Sequence, residues 1–175
     1  YGTELLRSHV HWDSGEWSHL VALFVDFSKK CLAPLCATKV TSSEVVQRFV
    51  FTERYCKPGK PINPAAMLPQ AKYPNELSVY REIGLTQECL WQIGDKYIGS
   101  KMNPNKRTLV GLKLDVIEVE KIHNDISKKY LGVRRDPFPH KNHANILNVG
   151  CSSPKDQLIA LKLMNIVKTP PIRRN

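Results

Sequence analysis

"ELSVYREIGLTQECLWQIGDKYIG", residues 76–99, changes its hydrophobic period midway. Leu77 and Val79 alternate with Ser78 and Tyr80, the period of two that marks a half-buried strand. From Leu90 onward the apolar residues Leu90, Trp91, Ile93, Tyr97 and Ile98 recur at helical spacing. Thr86 stands where a helix needs a capping hydroxyl, and Gly99 can end the helix. A strand followed within a few residues by a one-faced helix requires a sheet for that helix to cover, and the flanking sequence supplies its strands.

Upstream, "TSSEVVQRFVFTERY" (41–55) carries two conflicting signals. Thr41 with Glu44 reads as a capping box, whereas Val45, Val46, Phe49, Val50 and Phe51 are β-formers; a strand is predicted around Arg48–Thr52. Residues 56–74 hold five prolines, which excludes regular structure and predicts a loop pinned by Met67 and Leu68. Further back, Trp17, Leu20, Val21, Phe24, Phe27 and Cys31 predict a helix from Glu16, capped by Ser14 or Asp13 and ended at Pro34.

Downstream, "KMNPNKR" is a turn, "TLVGLKL" a strand and residues 115–124 a short helix. "YLGVRRD" and "HANILNVG" are two further strands. "SSPKDQLIALKLMNIVK" (152–168) is a helix with Ser152 or Ser153 as cap and Pro154 in its first turn, expected to turn Leu158, Leu161 and Ile166 inward. "TPPIRRN" reads as a basic, mobile tail. The expected fold is α+β: a mixed or mostly antiparallel sheet, with an N-terminal helix and a C-terminal amphipathic helix packed on it. The expected divisions are an N-terminal helical segment (1–46), an α+β core (47–168) and the tail (169–175).

Taken together, "RFVF", "PAAMLP", "ELSVYR", a "GL" before a helix containing "LWQIG", and "HANI" before a closing helix resemble a pattern found in small, uncharacterised bacterial proteins. The resemblance spans residues 47–167. It implies a bacterial, cytoplasmic protein, and it transfers no catalytic residue, because that pattern has no settled activity.

The net charge of +10 is unevenly distributed. Residues 101–175 hold 15 Lys and Arg against 6 Asp and Glu, whereas residues 1–100 are nearly balanced at 11 against 10. Such asymmetry is the usual footprint of a surface that meets phosphates. The candidate contacts are Lys101, Lys106, Arg107, Lys128, Lys129, Arg134, Arg135 and Lys141, with Tyr97, Tyr130 and Phe138 interleaved as stacking aromatics. No recognition-helix, RNP or GXXG motif is present, so binding is expected to read backbone rather than sequence. An RNA- or DNA-binding domain, perceived as one part of a larger complex, is the leading expectation. A basic face for an acidic protein partner is an alternative. No apolar run is long enough to span a bilayer, no signal-peptide pattern opens the sequence, and five scattered cysteines without a CxxC suit a reducing compartment.

The histidines offer two chemical readings. His9 and His11 in "HVHW" share a strand face, and with His140 and His143 in "HKNH" they are candidates for a zinc site; no cofactor is otherwise expected. Without metal, "RRDPFPHKNH" holds the parts of a nuclease or phosphodiesterase: His140 or His143 as base, Asp136 to orient the imidazole, and Arg134, Arg135 and Lys141 to neutralise phosphate. For His143 a plain role is also available, that of a ring fixed by a backbone carbonyl at a strand start. On the strand at 76–82, Tyr80 and Arg81 with Glu76 are a third candidate, a nucleotide pocket.

Overall fold

The computed structural model describes residues 40–70, 73–102, 104–150 and 154–174, with the side chains of the last helix described from Gln157. The predicted N-terminal helix, His9 and His11 lie outside the described residues.

Six strands form one sheet in the order β6-β7-β2-β1-β3-β8, and every pairing in it is antiparallel. They are β1 (Val45–Val50), β2 (Glu76–Arg81), β3 (Val110–Asp115), β6 (Gly132–Arg135), β7 (His143–Leu147) and β8 (Ile172–Arg173). A separate two-stranded ribbon joins β4 (His123–Asn124) to β5 (Lys129–Tyr130). The helices are α1 (Gln87–Tyr97), α2 (Val116–Glu120) and α3 (Pro154–Asn165). The fold is therefore α+β with a mostly antiparallel sheet, as the alternating strand patterns predict.

The two faces of the sheet are covered differently. On one, Val46, Val50, Leu77, Val79, Leu112, Leu114, Ala144 and Ile146 form an aliphatic core with Ile159, Ala160, Leu163 and Val167 of the α3 region. On the other, Phe49, Phe51 and Tyr80 meet Leu90, Trp91 and Ile93 of α1 in an aromatic cluster. Helix and sheet approach closely there. A Cβ on Gly94 would lie 2.4 Å from the Thr108 hydroxyl and 3.1 Å from the Phe49 ring, so only glycine fits.

Several local expectations change, among them the helix predicted over 115–124, which stops at Glu120 so that His123–Asn124 form a strand. The Thr41/Glu44 box forms, with Glu44 accepting from the Thr41 amide at 2.9 Å, but it closes a turn rather than a helix. The β-branched run then wins, and β1 starts at Val45, three residues before the predicted strand. Past Gln47↔Tyr80 the β1–β2 register stops, and Arg48 reaches across to donate to the carbonyls of Ser78 (3.0 Å) and Ala66 (3.4 Å). Burial pushes its guanidinium down to about 10.

In α3, Leu158 and Leu161 are not turned inward; they are 48% and 46% exposed, while Ile159, Ala160 and Leu163 are buried. The helix is apolar around most of its circumference, so spacing alone could not select the packed stripe. The C-terminal tail is not loose. Ile172 and Arg173 add a strand to β3, Arg173 donates to the Cys56 carbonyl at 2.9 Å, and Arg174 pairs with Asp95 at 2.6 Å.

Candidate functional site

Antiparallel pairing brings three sequence-distant segments to one edge of the sheet: the end of β2, the end of β6 and the loop entering β7. A cleft of about 390 Å³ opens there, lined by Arg81, Ile83, Gly84, Leu85, Arg135, Lys141 and Asn142. The floor is built by backbone geometry. Gly84 takes φ +68°, a conformation that glycine adopts without cost, and this turns the chain between β2 and α1. Asn142 fastens that turn, its side-chain amide donating to the carbonyls of Arg81 (3.3 Å) and Ile83 (3.2 Å). Thr86 then caps α1 by accepting from the Cys89 amide.

Three cations thus share a small concave surface. Arg81 is fixed from behind, its Nε and Nη2 donating to the Glu44 carboxylate at 2.5 and 2.9 Å. Burial alone would raise the Glu44 carboxyl, but Arg81 and the Thr41 amide and hydroxyl hold it below the ordinary carboxylate range. Glu44 neutralises Arg81 in part, and the exposed Lys141 adds positive charge beside Arg135.

The basic residues expected to contact phosphate therefore separate. Arg135 and Lys141 are brought together, and Arg81, which the sequence suggested for a nucleotide pocket, joins them. Arg134 points to the opposite face of the sheet and lies 3.4 Å from Glu76. Lys129 stands on the β4–β5 ribbon with Lys128 in its turn at φ 52°, while Lys101, Lys106 and Arg107 follow α1; none of these lines the cleft.

The two histidines of the loop also part company. The His140 ring lies against Tyr97 (5.1 Å between centroids) and Tyr80 (6.4 Å), and its Nδ1 accepts from the Asn142 amide at 3.2 Å. Burial, then Lys141, His143 and Lys96, push its pKa below the ordinary histidine value, which favours the neutral ring.

His143 is only 6% exposed and both ring nitrogens are engaged. Nδ1 donates to the Asp136 carbonyl at 3.0 Å and lies 3.4 Å from its carboxylate, while Nε2 lies 2.7 Å from the Ser78 hydroxyl. The plain reading of a ring fixed by a backbone carbonyl thus describes its Nδ1 side. Ser78 was missed by the sequence reading, because a serine at an outward strand position carries no signal until the partner strand is known.

The network continues through Asn145, whose amide donates to Glu76 (2.9 Å) and Asp136 (3.3 Å). Burial alone would raise the Asp136 carboxyl, but His143, the Phe138 amide and Asn145 bring it below its ordinary range. Beside it, Tyr80 and Gln47 continue the same row, each with buried polar atoms that have no hydrogen-bond partner among the described residues.

No group of three or more His, Cys, Asp or Glu able to hold a metal occurs among the described residues. Cys56 and Cys89 are free thiols, and no described helix is long and apolar enough to cross a membrane. No protein-family model, curated protein or solved structure matches the chain.

Proposed function

We propose that this domain binds the phosphate backbone of RNA or DNA, as one part of a larger assembly, and that the Arg81–Arg135–Lys141 cleft is its central contact. The cleft is the observation that carries the reading: it gathers cations from β2, β6 and the β7 loop around a space of about 390 Å³, large enough for a phosphate and part of its sugar. Arg81 is held in place by Glu44, so its orientation is set before a ligand arrives. Lys141, exposed beside Arg135, adds positive charge to the cleft. Phosphate contacts of this kind position a nucleic acid without reading its bases, in keeping with the lack of a base-reading motif.

The test is a salt titration of binding to labelled single- and double-stranded RNA and DNA. Each phosphate contact adds about 0.7 (single strands) to 0.9 (duplex DNA) to the slope of log affinity against log salt. Arg135→Glu with Lys141→Glu is expected to lower the slope by about two such contacts. Absence of binding to all four probes at low salt would refute the reading and favour an acidic protein as the partner of this face.

A nuclease acting through His140 and His143 as a pair has less support. His140 uses its Nδ1 lone pair on the Asn142 amide, and His143 is buried against Ser78 and Asp136.

A further inference from the structure

We infer that Ser78, His143 and Asp136 form a nucleophile, a general base and an orienting group, and that they cleave short-chain carboxylic esters at the polar end of the sheet face that carries Tyr80 and Phe49, independently of the cleft. The three residues come from β2, β7 and the end of β6, and register places them. Ser78 pairs with Asn145, and Tyr80 with His143, so Ser78 and His143 lie on one face one step apart. The imidazole folds back along that step until Nε2 is 2.7 Å from the Ser78 oxygen.

The direction of this hydrogen bond follows from the other side of the ring. Nδ1 is 3.0 Å from the Asp136 carbonyl, which can only accept, so Nδ1 carries a proton. In the neutral imidazole Nε2 is then the lone pair, and the Ser78 hydroxyl is the donor. That tautomer is the one a base needs in order to take a proton from a serine nucleophile. The Asp136 carboxylate, 3.4 Å from Nδ1, is placed to stabilise the imidazolium that forms. It is itself held by the Phe138 amide and Asn145.

Access and burial are divided between the parts. The His143 ring is buried, whereas Ser78 is half-buried and its neighbours reach water, with the side chains of Arg134 57% and Glu76 37% exposed. Arg134 shares the register row of Ser78 across Asn145 and lies 3.4 Å from Glu76. The surroundings among the described residues, Glu76, Arg134, Asp136 and Asn145, are polar, which favours a small, polar acyl group over a long apolar one.

The reaction balances without an added cofactor. The Ser78 oxygen attacks the ester carbonyl carbon as its proton passes to His143 Nε2. The carbon–alkoxy bond breaks, and the leaving alkoxide takes that proton as the alcohol departs. Water, giving a proton to the same nitrogen, then attacks the acyl-serine. The serine oxygen leaves with the proton, so one ester and one water yield one acid and one alcohol.

The test is incubation of the full chain with a fluorophosphonate probe, followed by intact mass and peptide mapping, with p-nitrophenyl acetate turnover measured in parallel. A single adduct on Ser78 is expected, absent from Ser78→Ala and forming about a hundredfold more slowly in His143→Gln, the lower range of what a positioned base contributes. Circular dichroism confirms that each variant is folded. The site of the adduct on the unaltered chain decides the matter even where a variant does not fold. No adduct on Ser78 at millimolar probe over several hours, or equal labelling of Ser78 in folded His143→Gln, would overturn the inference and leave the three residues as a structural network.

Discussion

Two pairs of basic residues in the C-terminal half of the chain carry the same charge and stand in different surroundings. Arg173 and Arg174 are absorbed by the fold: one donates to the carbonyls of Cys56, Lys57 and Lys60, and the other pairs with Asp95 and lies near Glu88. Arg135 and Lys141 instead line a cleft together with Arg81, which pairs with Glu44. Net charge is therefore a poor guide to a binding surface. A guanidinium that satisfies the ends of a loop adds to the formal charge without being available to a phosphate, and only geometry separates the two cases.

The largest expected effect falls on the structural pair. Arg174 and Asp95 are 17% and 27% exposed, and Asp95 also accepts from the Thr108 amide at 2.6 Å. Arg174→Ala leaves a half-buried carboxylate with one partner fewer and frees β8 from α1. A loss of roughly 1–3 kcal/mol is expected for a hydrogen bond to a charged group, read from the urea midpoint. Nucleic-acid affinity of the protein still folded at 20 °C should be unchanged. A matching loss of affinity would place Arg174 in the binding surface and erase the contrast.

Reversal of the cleft pair should do the opposite. Arg135→Glu with Lys141→Glu is expected to weaken nucleic-acid binding by at least about tenfold at low salt, measured on protein that circular dichroism shows to be folded. The comparison sharpens further with Arg134→Glu. Arg134 neighbours Arg135 in sequence but lies on the other sheet face beside Glu76, so its reversal should cost markedly less affinity. Equal losses from Arg134 and Arg135 would mean that charge density, not the cleft, governs binding.

How much of this was legible beforehand depends on the range of the signal. The Leu77/Val79 alternation, the Thr86 cap and the α1 face are local properties, and they appear where the spacing puts them. The start of β1 was misplaced because a genuine Thr41/Glu44 capping pair occurs at a turn that no helix follows. The packed stripe of α3 was misassigned because leucines lie on several of its sides. The tail was read as loose because Arg173 and Arg174 find their partners more than 70 residues away. In the loop at 136–143, the sequence sets Asp136 beside two histidines without telling them apart; it is His143 whose ring lies against Asp136. The third member of that set, Ser78, sits on β2, and only strand register connects it.

The smallest expected effect is in acid, and it also divides the two uses of charge. Glu44 and Asp95 are each held below their ordinary range, Glu44 by Arg81 and Thr41, Asp95 by Thr108 and Arg174, in both cases against burial. Between the folded and unfolded values the unfolded chain binds more protons, so these groups stabilise the fold above the ordinary carboxylate range and their contribution fades as pH falls through it. His140 acts in the same direction at higher pH. Its folded value is lowered, by burial and then by Lys141, so the unfolded chain takes up that proton first and stability declines slightly on acidification through the ordinary histidine range. The cleft should respond differently. Because the folded His140 pKa is lowered, the ring gains less charge than a free imidazole as the pH falls from 7.5 to about 6.5, and affinity for nucleic acid at fixed salt should change little. A rise in affinity over that interval, abolished by His140→Gln, would show that the imidazole charges and joins Arg135 and Lys141 as a phosphate contact.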